Sequence, residues 1–246
     1  MYNIIDERQK FLTGVAKWRK KNDKIVPLKW QGLLPVVGPP LGLIIHRTGN
    51  ANGLGQATVN FFYNHASAVS HDVIERDNVY VCVDPTRVAW HVNGPIEREK
   101  ARELGLPLTS SAFGNGRWQR ADMNVIGIET CEEWVKGEPS DWITKDGRLG
   151  WHKETYDTLI HRAADHIKKY NIPRSRVYPH SLFDPVDRPA DPDGIVDFEE
   201  LLDDIFAIVG GKAEEEVLDD NTMSRIAKLE AEVRALKTHT HPAANL

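Results

Sequence analysis

The chain has 246 residues, of which 41% are hydrophobic, so its length suffices for one sizeable domain with an additional segment. Its net charge of −5 excludes the basic footprint of a nucleic-acid-binding protein, and it has no apolar run of about 18 residues that would span a membrane. The cysteines, Cys82 and Cys131, lie in apolar runs, which is typical of buried thiols and not of a disulfide scaffold. No basic region followed by an apolar run opens the chain, so we expect synthesis in the cytoplasm without a signal peptide.

The first 40 residues are predicted to form a helix and an extended lead-in. Phe11, Val15 and Trp18 fall on one face of a helix over residues 6–22. The prolines of residues 28–40 then predict an extended connection.

Alternating strand and helix patterns follow and predict an α/β domain over residues 41–211. The predicted elements, in chain order, are a strand over 41–48, a helix over 57–65, hairpin strands over 69–74 and 79–83, a short strand over 87–92, a polar loop over 109–120, a central strand over 125–131 and helices over 151–170 and 195–209. Histidines on the helical patterns are expected at the surface or as caps: His65, His152, His161 and His166.

Residues 212–246 differ in character from the domain that precedes them. The segment is first acidic, and then apolar residues recur at a and d positions from Ile226 to Leu236. This pattern predicts a helical C-terminal tail. Both a solvated helix and one that joins copies of the chain into a homo-oligomer fit the pattern.

Polar side chains close several of the predicted strands or follow them directly. They are His46, His91, Glu129 and His180, and the loop after His180 contains Asp191. Two histidines and one carboxylate suit a catalytic zinc site, because they leave a fourth position for water, whose pKa the metal lowers toward about 7. A nearby glutamate is able to take the proton of that water and return it to a leaving amine.

The order of these motifs carries a resemblance to a known family. The stretches are H-R-T at residue 46, S-H-D-V-I-E-R-D at 70, A-W-H-V-N at 89, N-V-I-G-I-E at 124, P-H at 179 and D-P-D-G at 191. Together they resemble type-2 N-acetylmuramoyl-L-alanine amidases, which include many phage endolysins and are related to peptidoglycan recognition proteins. The resemblance covers residues 41–198 and implies a central mixed β-sheet flanked by α-helices.

The resemblance also implies roles for individual residues. His46, His180 and Asp191 match the ligands of a Zn²⁺ ion, and Glu129 matches the catalytic base. The loop between His180 and its downstream glycine contains further acidic residues, which stay open as alternatives for the third ligand: Asp184, Asp187 and Asp193.

Substrate contacts are expected in an open groove beside the metal. His91 matches a groove residue of the family, although a structural hydrogen bond is an equally good interpretation. Trp90 and Asn115 are further substrate-binding residues in this interpretation, because an aromatic face and an amide suit sugars and peptides.

The function implied is zinc-dependent hydrolysis of the amide bond between N-acetylmuramic acid and L-alanine in bacterial peptidoglycan. The absence of a secretory signal favours a phage or prophage endolysin, made in the host cytoplasm and reaching the wall after the membrane is permeabilised. Two alternatives remain, namely a non-catalytic peptidoglycan-binding recognition module and a cytoplasmic amidase that recycles muropeptides.

Overall fold

The computed structural model of the chain describes residues 1–13, 15–21, 24–29, 38–49, 54–65, 68–92, 95–106, 108–112 and 119–210. Its strands are β1 Asn3–Asp6, β2 Val15–Lys21, β3 Lys24–Lys29, β4 Leu43–Arg47, β5 Asp72–Glu75, β6 Asn78–Val81, β7 Leu108–Ala112, β8 Gln119–Met123, β9 Ile126–Thr130, β10 Glu133–Trp134, β11 Trp142–Ile143, β12 Leu149–His152 and β13 Val177–Pro179. Its α-helices are α1 Arg8–Thr13, α2 Gly55–His65, α3 Pro95–Glu103, α4 Lys153–Tyr170 and α5 Phe198–Val209. Short 3₁₀ turns lie at Pro139–Asp141, Arg174–Arg176 and His180–Leu182.

A six-stranded sheet in the order β1-β6-β5-β9-β4-β13 forms the centre of the fold. Its strands pair in parallel, except that β5 and β6 form an antiparallel hairpin around Arg76 and Asp77. The sheet is therefore mixed and is flanked by helices, which confirms the fold class predicted from the sequence.

The two faces of the sheet differ in what they carry. In β4, Leu43 and Ile45 pack into the apolar cluster that also contains the buried residues of α4 and α5. Successive side chains of a strand alternate between faces, so Ile44 and His46 face the other way. In β9 the same alternation gives Glu129 to the face that carries His46.

The covering helices α4 and α5 have well-defined ends. His152 caps α4 by accepting a hydrogen bond from the backbone N–H of Glu154, which confirms the capping role expected for it. The Asp197 carboxylate accepts N–H groups in the first turn of α5. The helices bury their apolar faces against one face of the sheet, and the functional groups lie on the other face, which carries His46.

The helix predicted over residues 6–22 is wrong beyond Thr13. Residues 15–21 form β2, which pairs antiparallel with β3, and Arg19 lies opposite Val26. The apolar spacing of this segment is compatible with a helix, but pairing with a later strand satisfies the same backbone groups. A pattern within one segment does not reveal that partner.

Two further segments also depart from prediction. Residues 87–92, predicted as a strand, form irregular backbone apart from a single bridge at Arg87, because tight local bonds such as His91 N–H to the Ala89 carbonyl (3.1 Å) compete with a ladder. Within the polar loop predicted over 109–120, residues 109–112 belong to β7 and residues 119–120 to β8, which pair antiparallel, and residues 113–118 lie outside the described residues. The predicted tail over 212–246 lies outside the described residues.

Candidate functional site

The site is organised by the register of β4 and β9. These neighbouring strands are parallel, and His46 lies directly opposite Glu129. Both residues are near the carboxyl ends of their strands, the edge at which sheets with parallel strands gather ligand-binding groups. The register therefore places an imidazole and a carboxylate side by side on one face.

His180 and Asp191 reach the same place from the other neighbour of β4. Strand β13 pairs with β4, and His180 follows β13 directly. The loop that continues from it returns when the Ser181 N–H donates to the Asp191 carbonyl at 2.7 Å. The Asp191 carboxylate is then fixed to the central sheet, because its Oδ1 accepts the backbone N–H of Arg47 at 2.6 Å.

His46, His180 and Asp191 converge in space and are buried. The Nδ1 atoms of His46 and His180 are 2.9 Å apart, and His180 Nδ1 is 3.1 Å from Asp191 Oδ2. One ligand atom of each residue lies within 4.8 Å of the others. Tetrahedral zinc with bonds of about 2.0–2.1 Å separates its ligand atoms by about 3.3 Å, so this spacing suits a single ion.

The outer nitrogen of His46 is held by His91. The Val125 carbonyl is an acceptor only, so His91 Nε2 donates to it at 3.3 Å. In the neutral ring, His91 Nδ1 then accepts from His46 Nε2 at 2.8 Å. Burial lowers the pKa of both histidines well below the usual value, which keeps them neutral. His46 Nδ1 is left with a bare lone pair.

The outer nitrogen of His180 is held by Glu97. Its Nε2 lies 2.9 Å from Glu97 Oε1, an acceptor, so that nitrogen carries the proton. Burial opposes a second proton on His180, but hydrogen bonds to Asp191 and Glu97 raise its pKa to about 9. In the neutral ring the remaining nitrogen, Nδ1, carries a lone pair that points toward His46 and Asp191.

This pattern of hydrogen bonds leaves three acceptor atoms facing one another. The outer groups of His46, His180 and Asp191 are all engaged with the protein, and the inner atoms are Nδ1, Nδ1 and Oδ2. Facing lone pairs repel unless a cation lies between them. The donor set therefore fits a metal ion.

Glu129 stands apart from this bonded set. Its Oε2 is buried without a hydrogen-bond partner among the described residues. Burial, reinforced by the charge of Asp191, raises its pKa to about 8. A carboxyl group with one buried, unpartnered oxygen and a pKa near neutrality suits proton transfer.

A cavity of about 380 Å³ opens beside these groups. Apolar side chains of α2 and the segment after it form part of its wall, and polar groups form the rest. It is lined by Arg47, Thr48, Thr58, Phe61, Phe62, Ala68, Val69, His91, Glu129, His180, Arg188 and Asp191. Arg188 also borders a neighbouring cavity of about 290 Å³.

The alternative aspartates take other roles in the loop. Asp184 Oδ1 accepts the N–H of Asp187 at 3.0 Å, and Asp193 accepts the hydroxyl of Ser181. Asp191 is the acidic residue of this loop that the structure brings against His180.

The predicted substrate contacts are placed differently from one another. Both ring nitrogens of His91 are engaged with His46 and Val125, which favours the structural alternative for this residue. Trp90 is fully buried and packs in an apolar cluster with Val59 and Phe62, although a groove-lining ring was expected to be exposed. Asn115 lies outside the described residues. Contact of Trp90 or Asn115 with substrate stays a prediction.

Gly127, within the I-G-I-E motif, makes room for His91. A Cβ atom added there would lie 2.5 Å from His91 Cγ, closer than atoms are able to approach. The glycine is thus a packing requirement of the site. Glu97, by contrast, was missed in the sequence, since α3 is short and strongly charged and no motif marks it.

Comparison with known proteins places these features in context. The family model described as N-acetylmuramoyl-L-alanine amidase, Amidase_2, matches residues 37–194. The structure is similar to a mutant endolysin from Bacillus subtilis, with 18% identity, a TM-score of 0.49 and coverage of 83% of this chain and 99% of that one. It is also similar to the N-acetylmuramoyl-L-alanine amidase LysC from Clostridium intestinale URNW, with 15% identity, a TM-score of 0.46 and coverage of 86% and 100%. No curated protein matches the chain significantly.

Proposed function

Because the chain belongs to the N-acetylmuramoyl-L-alanine amidase family and is therefore a peptidoglycan amidase, we propose that it works with a zinc ion held by His46, His180 and Asp191. The observation that carries this proposal is the convergence of three buried lone pairs whose outer partners are all engaged. Two imidazole nitrogens and one carboxylate suit zinc better than magnesium or calcium, which prefer oxygen ligands.

Hydrolysis of the amide adds water across the carbon–nitrogen bond. Zinc, when bound, polarises the scissile carbonyl and lowers the pKa of water toward about 7. The Glu129 carboxylate takes a proton from the attacking water as the new carbon–oxygen bond forms. It returns that proton to the alanine nitrogen as the carbon–nitrogen bond breaks, so Glu129 ends the cycle in its starting state.

Arg188 is the second group of this chain to which we assign a part in the reaction. It borders the cavity that Glu129 lines and lies on the loop just before Asp191. Its guanidinium is a permanent cation with five N–H donors. We propose that it stabilises the negative charge that develops on the carbonyl oxygen.

For the biological setting we keep the interpretation drawn from the sequence, a phage or prophage endolysin, as our proposal. Incubation with intact bacterial sacculi and, separately, with soluble muropeptides distinguishes the possibilities. Rapid loss of turbidity supports the endolysin. Cleavage of soluble fragments alone supports a recycling amidase, and wall binding without cleavage supports a recognition module.

The metal site is tested by zinc content and by substitution in its acidic loop. We expect the purified chain to bind zinc stoichiometrically and Asp191→Ala to bind it more than about 100-fold more weakly, since loss of a ligand exceeds the usual effect of a second-sphere change. Asp184→Ala in the same loop is the matched control and should bind zinc like the unmodified chain. Full hydrolysis of sacculi by a chain stripped of metal would overturn the zinc proposal.

The bond that is cut is tested by mass spectrometry of the digested wall. We expect free muramic acid ends together with stem peptides that begin at alanine. Fragments cut within the sugar strand or within the peptide would contradict the assigned bond.

A further inference from the structure

Glu97 is a buried carboxylate that no sequence motif marked and that the mechanism above does not use. It lies in the first turn of α3 and is only 7% exposed. Its Oε1 is 2.9 Å from Nε2 of His180, on the side of the imidazole ring away from Asp191. A charged group this well buried needs a specific partner, and His180 is one.

The packing of α3 holds Glu97 in this position. Ala101, one helical turn after Glu97, is fully buried in the cluster that contains Ile44 of β4 and Tyr178 of β13. Residues four apart share a helix face, so the face that anchors α3 to the sheet also carries Glu97. Tyr178 lies two residues before His180, so the packing of α3 against Tyr178 brings the Glu97 carboxylate beside Nε2 of the His180 ring.

The hydrogen bond has a definite chemical consequence for His180. A neutral imidazole has two tautomers, and only the one with its proton on Nε2 leaves Nδ1 available to a metal. Glu97 Oε1 is an acceptor and therefore favours that tautomer. A carboxylate on the outer nitrogen also makes the inner nitrogen a stronger ligand.

The two histidines differ in this respect. His46 is held by the neutral ring of His91, whose chain of hydrogen bonds ends on the Val125 carbonyl. His180 is held by a full negative charge. Glu97 therefore contributes both the tautomer and the charge, and these two contributions are separable by substitution.

We propose that Glu97 is a positioning residue that holds His180 in its metal-binding tautomer and orientation and strengthens its bond to the ion. The proposal rests on the zinc site of the proposed function. Glu97 has no contact with reacting atoms in this assignment, so its effect should appear in metal affinity first.

The experiment measures the zinc affinity of metal-stripped full-length chain by competition with a chromogenic chelator. We expect Glu97→Ala to bind zinc about 10- to 100-fold more weakly. Glu97→Gln retains an acceptor oxygen without the charge, and its zinc affinity should lie between those of the unmodified chain and Glu97→Ala. Glu99→Ala, an exposed position on the same helix, is the control and should bind like the unmodified chain.

A spectroscopic signature separates this role from general support of the fold. In the zinc-loaded chain we expect a downfield Nε2–H resonance of His180 in ¹H–¹⁵N spectra, moved upfield in Glu97→Gln and lost to exchange in Glu97→Ala. Thermal unfolding of the metal-free variants reports whether the fold is retained. If Glu97→Ala does not fold, the affinity and resonance of Glu97→Gln decide the matter.

The outcomes distinguish the two proposals. Zinc binding by the unmodified chain together with unchanged affinity in the folded Glu97 variants would overturn the role of Glu97 and leave the metal site intact. Failure of the unmodified chain to bind zinc would overturn the metal site, and the role of Glu97 with it.

Discussion

Two buried clusters of histidine and carboxylate lie on the central sheet, and they differ in whether their acceptor atoms face hydrogen-bond donors within the cluster. In the first, the Asp72 cluster, Oδ2 of Asp72 accepts from Arg162 Nε at 2.8 Å and from His166 Nε2 at 2.6 Å, and Oδ1 accepts from Arg162 Nη2 at 3.2 Å. In the second, the metal-site cluster of His46, His180 and Asp191, the inner atoms face one another with no donor among them when the rings are neutral.

The difference teaches that residue composition does not distinguish a structural cluster from a functional one. Both sets are buried and both combine imidazole with carboxylate. The Asp72 cluster includes its own cation, Arg162, and is closed. The metal-site cluster directs its N–H donors outward, from His180 to Glu97 and from His46 to His91, so its interior still needs a positive charge.

The largest effect is expected where the metal-site cluster meets the cavity. Glu129→Gln should lower the rate of wall hydrolysis by about 10²- to 10⁴-fold, because it removes the carboxylate that we propose as the proton-transfer group. Zinc affinity and thermal stability should be retained, since Oε2 of Glu129 has no partner to lose among the described residues. Turbidity assays measure the rate, zinc titration the affinity and thermal unfolding the stability. A rate within a few-fold of the unmodified chain would remove Glu129 from the mechanism.

The next effect falls on the closed cluster and should spare the metal. Asp72→Ala leaves the partly buried guanidinium of Arg162 and the buried ring of His166 without their carboxylate, which costs about 3 kcal/mol of unfolding free energy. Urea denaturation measures the loss, with the exposed Asp157→Ala on α4 as control. Zinc affinity of the folded fraction should be unchanged. A loss of affinity in Asp72→Ala would mean that the two clusters are coupled.

The smallest effect is the pH dependence of the stability that Asp72 contributes to the closed cluster. Burial opposes ionisation of Asp72, but attraction by His166 and Arg162 outweighs it and holds its pKa well below the usual value. A depressed pKa stabilises the fold fully above the unfolded value of about 3.9 and loses that stabilisation as the pH falls further.

The measurement is the difference in unfolding free energy between the unmodified chain and Asp72→Asn. We expect this difference to shrink as the pH falls from 5 toward 2, where Asp72 gains its proton. A difference that does not change with pH would show that the charge of Asp72 contributes nothing.

The sequence predicted all three residues of the metal-site cluster and Glu129 beside it, two of these four from local signals. His46 and Glu129 each end a buried apolar strand, and a strand end is visible from neighbouring residues. His180 and Asp191 required the family motifs, since the loop offered Asp184, Asp187 and Asp193 as well. The predicted α/β arrangement followed from the same strand and helix patterns.

What escaped prediction depends on partners far away in the chain. His166 was expected at the surface of its helix or as a cap and is buried, because Asp72, 94 positions earlier, accepts a hydrogen bond from its Nε2. Glu97 meets a histidine 83 positions later. Strand β2 pairs with β3 where local spacing favoured a helix. In each case the deciding contact is absent from the segment being read.

The bond from the Arg47 N–H to the Asp191 carboxylate joins the beginning of the catalytic domain to its last loop. A metal ion bound by both His46 and Asp191 would link the same two parts of the chain a second time, beside the Arg47–Asp191 hydrogen bond that already spans 144 positions. A cross-link of this kind reduces the conformational entropy of the unfolded chain, and the reduction is larger for a longer loop. Removal of the metal by a chelator should thus lower the stability of the whole chain segment between the two residues, and not only that of the few atoms that touch the ion.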